Sequence, residues 1–232
     1  MAESARPMRE FNQTKAVEDF LKAVFVLEQD AERVSTNALK DALNLTAPSV
    51  TDMAQRLTEM GKVDYVKHRG VRLTEAGKSI ALSVIRRHRL IELYLVQELG
   101  YALHEVHDEA EMLEHVVSDR FIEAVAQKLN HPDFDPHGDP IPSPAGDIVT
   151  RHLVALADLP QHTPAQVAQF IAHDADLLQY TLDKGFALGL EVCILARDPF
   201  AGPLTIQLGS AGQVTIGEVV AQAILVQPQL NS

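Results

Sequence analysis

The sequence predicts a mainly α-helical chain that ends in a small β domain. Three observations carry this: apolar residues recur at helical spacing from about residue 15 to 130, a proline-dense interval follows at 131–150, and short β-branched runs with glycine turns occupy the rest. With 232 residues, 46% of them apolar, the chain can bury at least one full core. No apolar run reaches the roughly eighteen residues of a membrane helix, and the opening MAESARPMREFNQTK lacks the apolar segment of a secretion leader. A soluble cytoplasmic protein with no membrane partner is therefore expected. The single cysteine, Cys193 in LEVCIL, allows no intramolecular disulfide and reads as a buried strand residue.

After a polar tail, KAVEDFLKAVFVLEQD at 15–30 sets Val17, Leu21, Val24 and Phe25 at helical spacing, and a short helix follows at about 36–43. In NLTAPSVTDMAQRLTEMG, Thr46 suits an N-cap, Pro48 a first turn and Gly61 a stop. KVDYVKHRGVRLT then alternates apolar and charged residues and turns at His68-Arg69-Gly70, which reads as a hairpin. This order is that of a winged helix-turn-helix. Thr74-Glu75 opens a long helix closed by Gly100, and a second long helix is expected over about 104–130; the pair is long enough to form a dimer interface. Prolines 132, 136, 140, 142 and 144 forbid regular structure and mark a linker. Beyond it, TPAQVAQFI, LEVCIL, PLTIQL, QVTIG and AILVQ read as strands and DADLLQYTLDKG as a helix, the elements of an SH3-like β-barrel. The expected domains are 1–75, 76–150 and 151–232.

A net charge of −12 argues at first sight against a nucleic-acid partner. Its distribution removes the objection. Residues 1–80 hold 12 basic and 12 acidic side chains, against 3 and 11 in 131–232, so the phosphate-contacting charge is concentrated where the reading head is expected.

The strongest chemistry lies in EVHDEAEMLEHVVSD. Wound as a helix, His107, Glu111, Glu114 and His115 fall within an arc of about 100°, with Leu113, Val116 and Val117 away from it. His88 and Glu92 stand at i, i+4 on the preceding helix, and Asp19 on the first helix is a third source of oxygen. Spacing alone is equally consistent with a solvated acidic face carrying scattered histidines.

The segments EDFLKAVFVLE, RRHRLIELYL, EVHDEAEMLEHVVSD and GDPIP resemble the diphtheria toxin repressor family of metal-dependent transcriptional repressors, over about residues 15–145 and more weakly in the C-terminal barrel. The resemblance implies a metal-dependent, DNA-binding repressor of metal-homeostasis genes that binds double-stranded operator DNA as a homodimer and has no small-molecule substrate. It places a primary metal site at Asp19, Glu111, Glu114 and His115, and an ancillary one at His88, Glu92 and His107. Manganese-responsive members are acidic at the positions of Asp19 and Glu111, as here, where iron-responsive members carry Met and Cys. Hard oxygen donors suit Mn²⁺, with Fe²⁺ an alternative and Co²⁺, Zn²⁺ or Cd²⁺ substitutes in vitro. One departure is Lys22, where some manganese-responsive members have a metal-binding Glu. Barrel residues reach the ancillary metal in some members, which makes Gln169 and His173 candidates.

The reading helix would present Thr46, Ala47, Pro48, Ser49, Thr51 and Asp52 at its N-terminal end, the end that meets base edges in helix-turn-helix proteins. Arg56 and the wing's Arg69, with Lys40, Lys67 and Arg72 nearby, would contact phosphate. A metal joining Asp19 to the Glu111–His115 segment would fix the reading head, and without it the crowded carboxylates are expected to repel and loosen the protein. A carboxylate-bridged metalloenzyme is the rival, but no Glu-x-x-His spacing occurs. No GxSxG or phosphate-loop motif supports another enzyme, and Phe200 alone among aromatics in 187–232 cannot line a peptide groove.

Overall fold

A computed structural model describes residues 5–29, 31–171, 174–210 and 212–229, with side chains from residue 15 onward. The chain divides into two compact units. One comprises the chain up to His88 with Glu114–Val116 and Pro142–Asp147, and the other Arg89–Leu113, Val117–Ile141 and the chain from Ile148 onward.

The first unit opens with helix α1 (Ala5–Leu27), which starts about ten residues before the expected helix. Pro7 is no obstacle there, because the first turn has no intrahelical partner for its missing N–H. α2 (Thr36–Ala42) is capped by Ser35, and α3 (Ala47–Glu59) by Thr46, whose hydroxyl accepts from Ser49 N at 3.3 Å. Val50, Ala54 and Leu57 form the buried stripe of α3 and pack with Phe20, Leu21 and Val24 of α1, Leu39 and Val71. Strands β1 (Val63–Val66) and β2 (Gly70–Leu73) make the wing, and Val34 extends it by two backbone bonds to Val71 of 2.8 and 2.9 Å. Gly70 has φ +104°, and a Cβ there would lie 2.4 Å from the Val34 carbonyl oxygen, so only glycine permits this join.

Helix α4 (Glu75–Leu99) runs as expected between Thr74 and Gly100. The second long helix does not form as one piece: the second unit has α5 (Val106–Leu113) and α6 (Asp119–Lys128). Ser118 restarts the chain by accepting from Phe121 N at 3.2 Å, and capping there competes with continuation through the β-branched Val116-Val117 pair. Leu90, Ile91, Val106, Ala110, Ile122, Val125 and Ile141 form one core of this unit.

Its other core lies under an antiparallel sheet of β3 (Val154–Ala155), β4 (Pro164–Phe170), β5 (Glu191–Arg197), β6 (Leu204–Leu208), β7 (Gly212–Ile216) and β8 (Ile224–Pro228), in the order β3-β8-β4-β5-β6-β7. Helices α7 (Ala175–Asp183) and α8 (Glu218–Gln222) complete it. Register shifts at Val167/Gln169 and Ile194/Ala196 bend the sheet in the SH3-like manner, and among the described residues it stays open, with β3 and β7 as edges. Strand alternation buries Val192 and Ile194 and turns Cys193 to the other face, where it is half-exposed rather than buried.

The proline-dense interval is no loose linker. Asp135 Oδ1 accepts from the backbone N–H of both His137 and Asp139 at 2.8 Å, Ile141 N donates to Asp133 O, and Phe170 N donates to His137 O at 2.8 Å. Asp135 and His137 are both buried. The prolines remove donors that such a loop would otherwise have to satisfy.

Candidate metal centre

Burial of Phe20, Leu21 and Val24 leaves Lys15, Glu18, Asp19 and Lys22 as a separate stripe at i, i+3, i+4 and i+7 of α1. Against this stripe the first unit sets Glu114 and His115, which lie in the turn just after α5. Asp19 Oδ1 is 2.9 Å and Glu114 Oε1 3.2 Å from His115 Nε2. Asp19 Oδ1 and His115 Nε2 are both buried and make no aligned hydrogen bond. Donors about 2.1–2.2 Å from one ion and at right angles around it stand about 3.0 Å apart, so these separations fit a divalent cation. Glu111 occupies the last turn of α5, three residues before Glu114.

Glu18 was not legible as part of the site. His115 Nδ1 donates to Glu18 Oε2 at 2.6 Å, which commits Nε2 to the centre, and Arg87 lies 3.6 Å from the other Glu18 oxygen. The only sequence signal was its place on the Asp19 stripe. Burial opposes charge on His115, but Asp19, Glu114 and Glu18 outweigh it and push the imidazole up to about 10. Burial likewise opposes charge on Glu114; its bonds to His115 and His88 and the nearby Lys22 hold it well below the usual carboxylate range. Carboxylate repulsion among the groups on this stripe is offset by basic neighbours: Arg87 beside Glu18, Lys15 beside Asp19 at 3.4 Å, and Lys22 on Glu114 at 3.0 Å.

His88 is buried, one turn before Glu92 on α4, and its Nδ1 lies 2.6 Å from Glu114 Oε2. In the second unit His107 Nδ1 stands 3.3 Å from Glu92 Oε1. A cluster that sequence reading missed adjoins that pair: Glu92, Asp135 and His137 each offer a ligand atom, all within 4.8 Å of one another, and all three are buried. Burial, then the charges of Asp139 and Glu92, push the Asp135 carboxyl up to about 7, while Glu92 holds the His137 imidazole above its ordinary value despite burial. Arg89 compensates in part, 3.7 Å from Asp135 and 3.1 Å from Asp139. Two buried carboxylates, Glu92 and Asp135, beside the half-buried Asp139 make an acidic pocket that a divalent cation would stabilise. Gln169 donates to Asp139 at 3.1 Å and so steadies the loop from the sheet, whereas His173 lies outside the described residues.

At the N-terminal end of α3, Thr46, Ala47, Pro48, Ser49 and Asp52 are exposed, and Thr51 and Arg56 half-buried. Arg69 is exposed at the wing tip. Arg72 pairs with Asp64 at 3.1 Å beside Arg33, and Lys40 pairs with Asp41 at 3.0 Å.

A winged reading head joined to a carboxylate and imidazole centre defines a metal-responsive DNA-binding regulator. Comparison with known proteins gives the family. Models of the iron-dependent repressor N-terminal DNA-binding domain, its metal-binding and dimerisation domain, and the FeoA domain match residues 13–71, 74–143 and 154–228. The diphtheria toxin repressor of Corynebacterium glutamicum is 30% identical over 77% of this chain and 82% of its own length. The iron-dependent repressor IdeR of Mycobacterium tuberculosis is 28% identical over 90% and 96%. A solved manganese-dependent transcriptional repressor in complex with manganese superposes with a TM-score of 0.86 at 37% identity, covering 92% of this chain and all of that one. The chain belongs to the diphtheria toxin repressor family. It is a divalent-metal-dependent transcriptional repressor with DNA-binding, dimerisation and SH3-like FeoA domains, and not an enzyme. Among the described residues no helix is long and apolar enough to cross a membrane.

Proposed function

We propose that this repressor is activated by Mn²⁺ at two centres per chain. The primary centre uses Asp19, Glu111, Glu114 and His115; the second uses Glu92, Asp135 and His137, with His107 and His88 flanking Glu92. The carrying observation is the pair of buried ligand atoms, Asp19 Oδ1 and His115 Nε2, which stand 2.9 Å apart without an aligned hydrogen bond. Every donor in both centres is oxygen or imidazole nitrogen, which favours Mn²⁺ over softer ions and supports manganese over the iron named for the mycobacterial relative. The similarity to the solved manganese complex supports the same choice.

Asp19, Glu111, Glu114 and His115 would hold a divalent ion, whose positive charge would draw these four groups together. Asp19 belongs to the helix whose apolar side packs on α3, so holding it to Glu114 and His115 steadies the reading head, and Glu18 keeps His115 oriented for the task. Thr46, Ala47, Pro48, Ser49, Thr51 and Asp52 then meet base edges in the major groove, with Arg56 and Arg69 on phosphate. Domain bounds of 1–75, 76–150 and 151–232 fit this division of labour.

Gel retention of operator DNA by the Glu114→Gln protein, with and without Mn²⁺, tests the reading. The parent retards DNA only with metal, and the variant, folded by circular dichroism, retards it in neither condition. Metal-dependent retention by the variant would overturn the assignment.

A further inference from the structure

Lys22 is the one basic side chain of the α1 stripe whose ammonium reaches a proposed metal ligand on both of its oxygens. Its Nζ donates to Glu114 Oε1 at 3.0 Å and Oε2 at 3.1 Å and lies 3.3 Å from His88 Nδ1. The Glu114 side chain has no solvent exposure and the Lys22 side chain 17%. A carboxylate so deeply buried needs a permanent counter-charge, and Lys22 provides one that does not depend on metal supply.

The two Glu114 oxygens face different imidazoles. Oε1 looks toward His115 Nε2 at 3.2 Å, on the Asp19 side, and Oε2 toward His88 Nδ1 at 2.6 Å. A carboxylate with an imidazole at each oxygen is built to bridge two cations. On the His88 side the bridging position is taken by an amine tethered to α1.

We propose that Lys22 is a built-in cation that holds the primary centre to a single metal ion and tempers its affinity. The inference rests on the reading of Asp19, Glu114 and His115 as a metal centre. Two consequences follow from the charge and place of Nζ. A second divalent ion cannot share Glu114 and His88 while the ammonium is there, and the first binds against the repulsion of a unit positive charge across one carboxylate. Affinity is thereby set by residue 22 without any change in the ligands.

The test uses the full chain in a Glu92→Gln background, which removes the carboxylate common to the second centre and to His107. Mn²⁺ binding is followed by calorimetry and by electron paramagnetic resonance. With Lys22 present, one ion binds per chain and gives the hyperfine pattern of an isolated Mn²⁺. Lys22→Glu should bind two ions per chain with the broadened spectrum of an exchange-coupled pair. Lys22→Met, neutral and similar in length, carries the test if Lys22→Glu does not fold: it should bind Mn²⁺ tighter by on the order of tenfold or more. Two coupled ions in the Lys22 protein, one ion in a folded Lys22→Glu, or unchanged affinity in Lys22→Met would each overturn the inference. No ion bound by the Lys22 protein would instead sink the primary centre, and this inference with it.

Discussion

Replacing Asp135 by Asn separates the cost of the second centre from its use. In the metal-free protein the Asp135 carboxyl is 4% exposed and is pushed up to about 7 by burial and by Asp139 and Glu92. Raising it from 3.8 to about 7 disfavours the ionised form by about 4 kcal/mol, at about 1.4 kcal/mol for each tenfold. Relaxation around Arg89 reduces what folding feels to about 1–3 kcal/mol. Asparagine keeps an oxygen for the His137 and Asp139 amides and turns its own NH₂ toward Glu92, so the loop's backbone bonds survive. The sign follows from linkage. A carboxyl whose folded value exceeds its unfolded one costs nothing below about pH 3.8 and destabilises increasingly as pH rises toward about 7. In EDTA at pH 8, Asp135→Asn should therefore melt several degrees above the parent, at about 2–4 °C per kcal/mol, with the gap closing near pH 4. With Mn²⁺ the order should reverse, because the parent gains about 2.7 kcal/mol at a metal concentration of about 100 Kd and the variant binds one ion fewer. Scanning fluorimetry across pH and calorimetric stoichiometry measure both. A variant that melts below the parent in EDTA at pH 8, or that retains two ions per chain, refutes the reasoning.

Gly70→Ala should destabilise the first unit by about 2–4 kcal/mol, since its Cβ meets the Val34 carbonyl oxygen at 2.4 Å in a backbone region closed to alanine; urea melts check it. Glu28, half-buried and accepting from Leu73 N at 3.1 Å, has its carboxyl raised chiefly by burial. Glu28→Gln should raise stability at pH 7, with the advantage fading as pH falls through the carboxylate range; a lower melting temperature at pH 7 counts against it. Arg69→Ala at the exposed wing tip should weaken binding to all DNA sequences alike and reduce the salt slope by about 1, read from titrations at several salt concentrations.

What the sequence revealed depended on how local the determinant was. Thr46, Pro48 and Gly61 act within a turn of their own positions, so α3 and the wing were legible, and so were β4 to β8 of the C-terminal sheet, though not the two-residue β3. The break between α5 and α6 was a contest between two local preferences, apolar periodicity and the Ser118 cap, and periodicity alone could not decide it. Spacing picked out Glu114 and His115, but resemblance was needed to join Asp19 to them, because nothing in the spacing of Glu114 and His115 states that α1 lies opposite. Glu18 and Lys22 show the same limit from the other side. They stand at i, i+4 on α1, where opposite charges read as a local pair, and each also bonds to the distant Glu114–His115 turn.

Asp135 and His137 were concealed for a physical reason that can be turned into a rule. Proline density marks the absence of helix and strand, and it was equated with a linker, yet proline also lacks the N–H that makes irregular backbone costly to bury. A segment in which prolines alternate with Asp and His can therefore enter a core, provided the acid satisfies the remaining amides, as Asp135 does for His137 and Asp139. Such a segment has few free backbone donors to offer an anion and an acid held against its own charge, so its unmet need is a cation. Asp135→Leu, which removes both amide acceptors, should then disorder the loop and expose Ile141, whereas Asp135→Asn should not. Hydrogen exchange at the His137 and Asp139 amides distinguishes them, and equal protection in both variants would show that the loop's order does not depend on the acid.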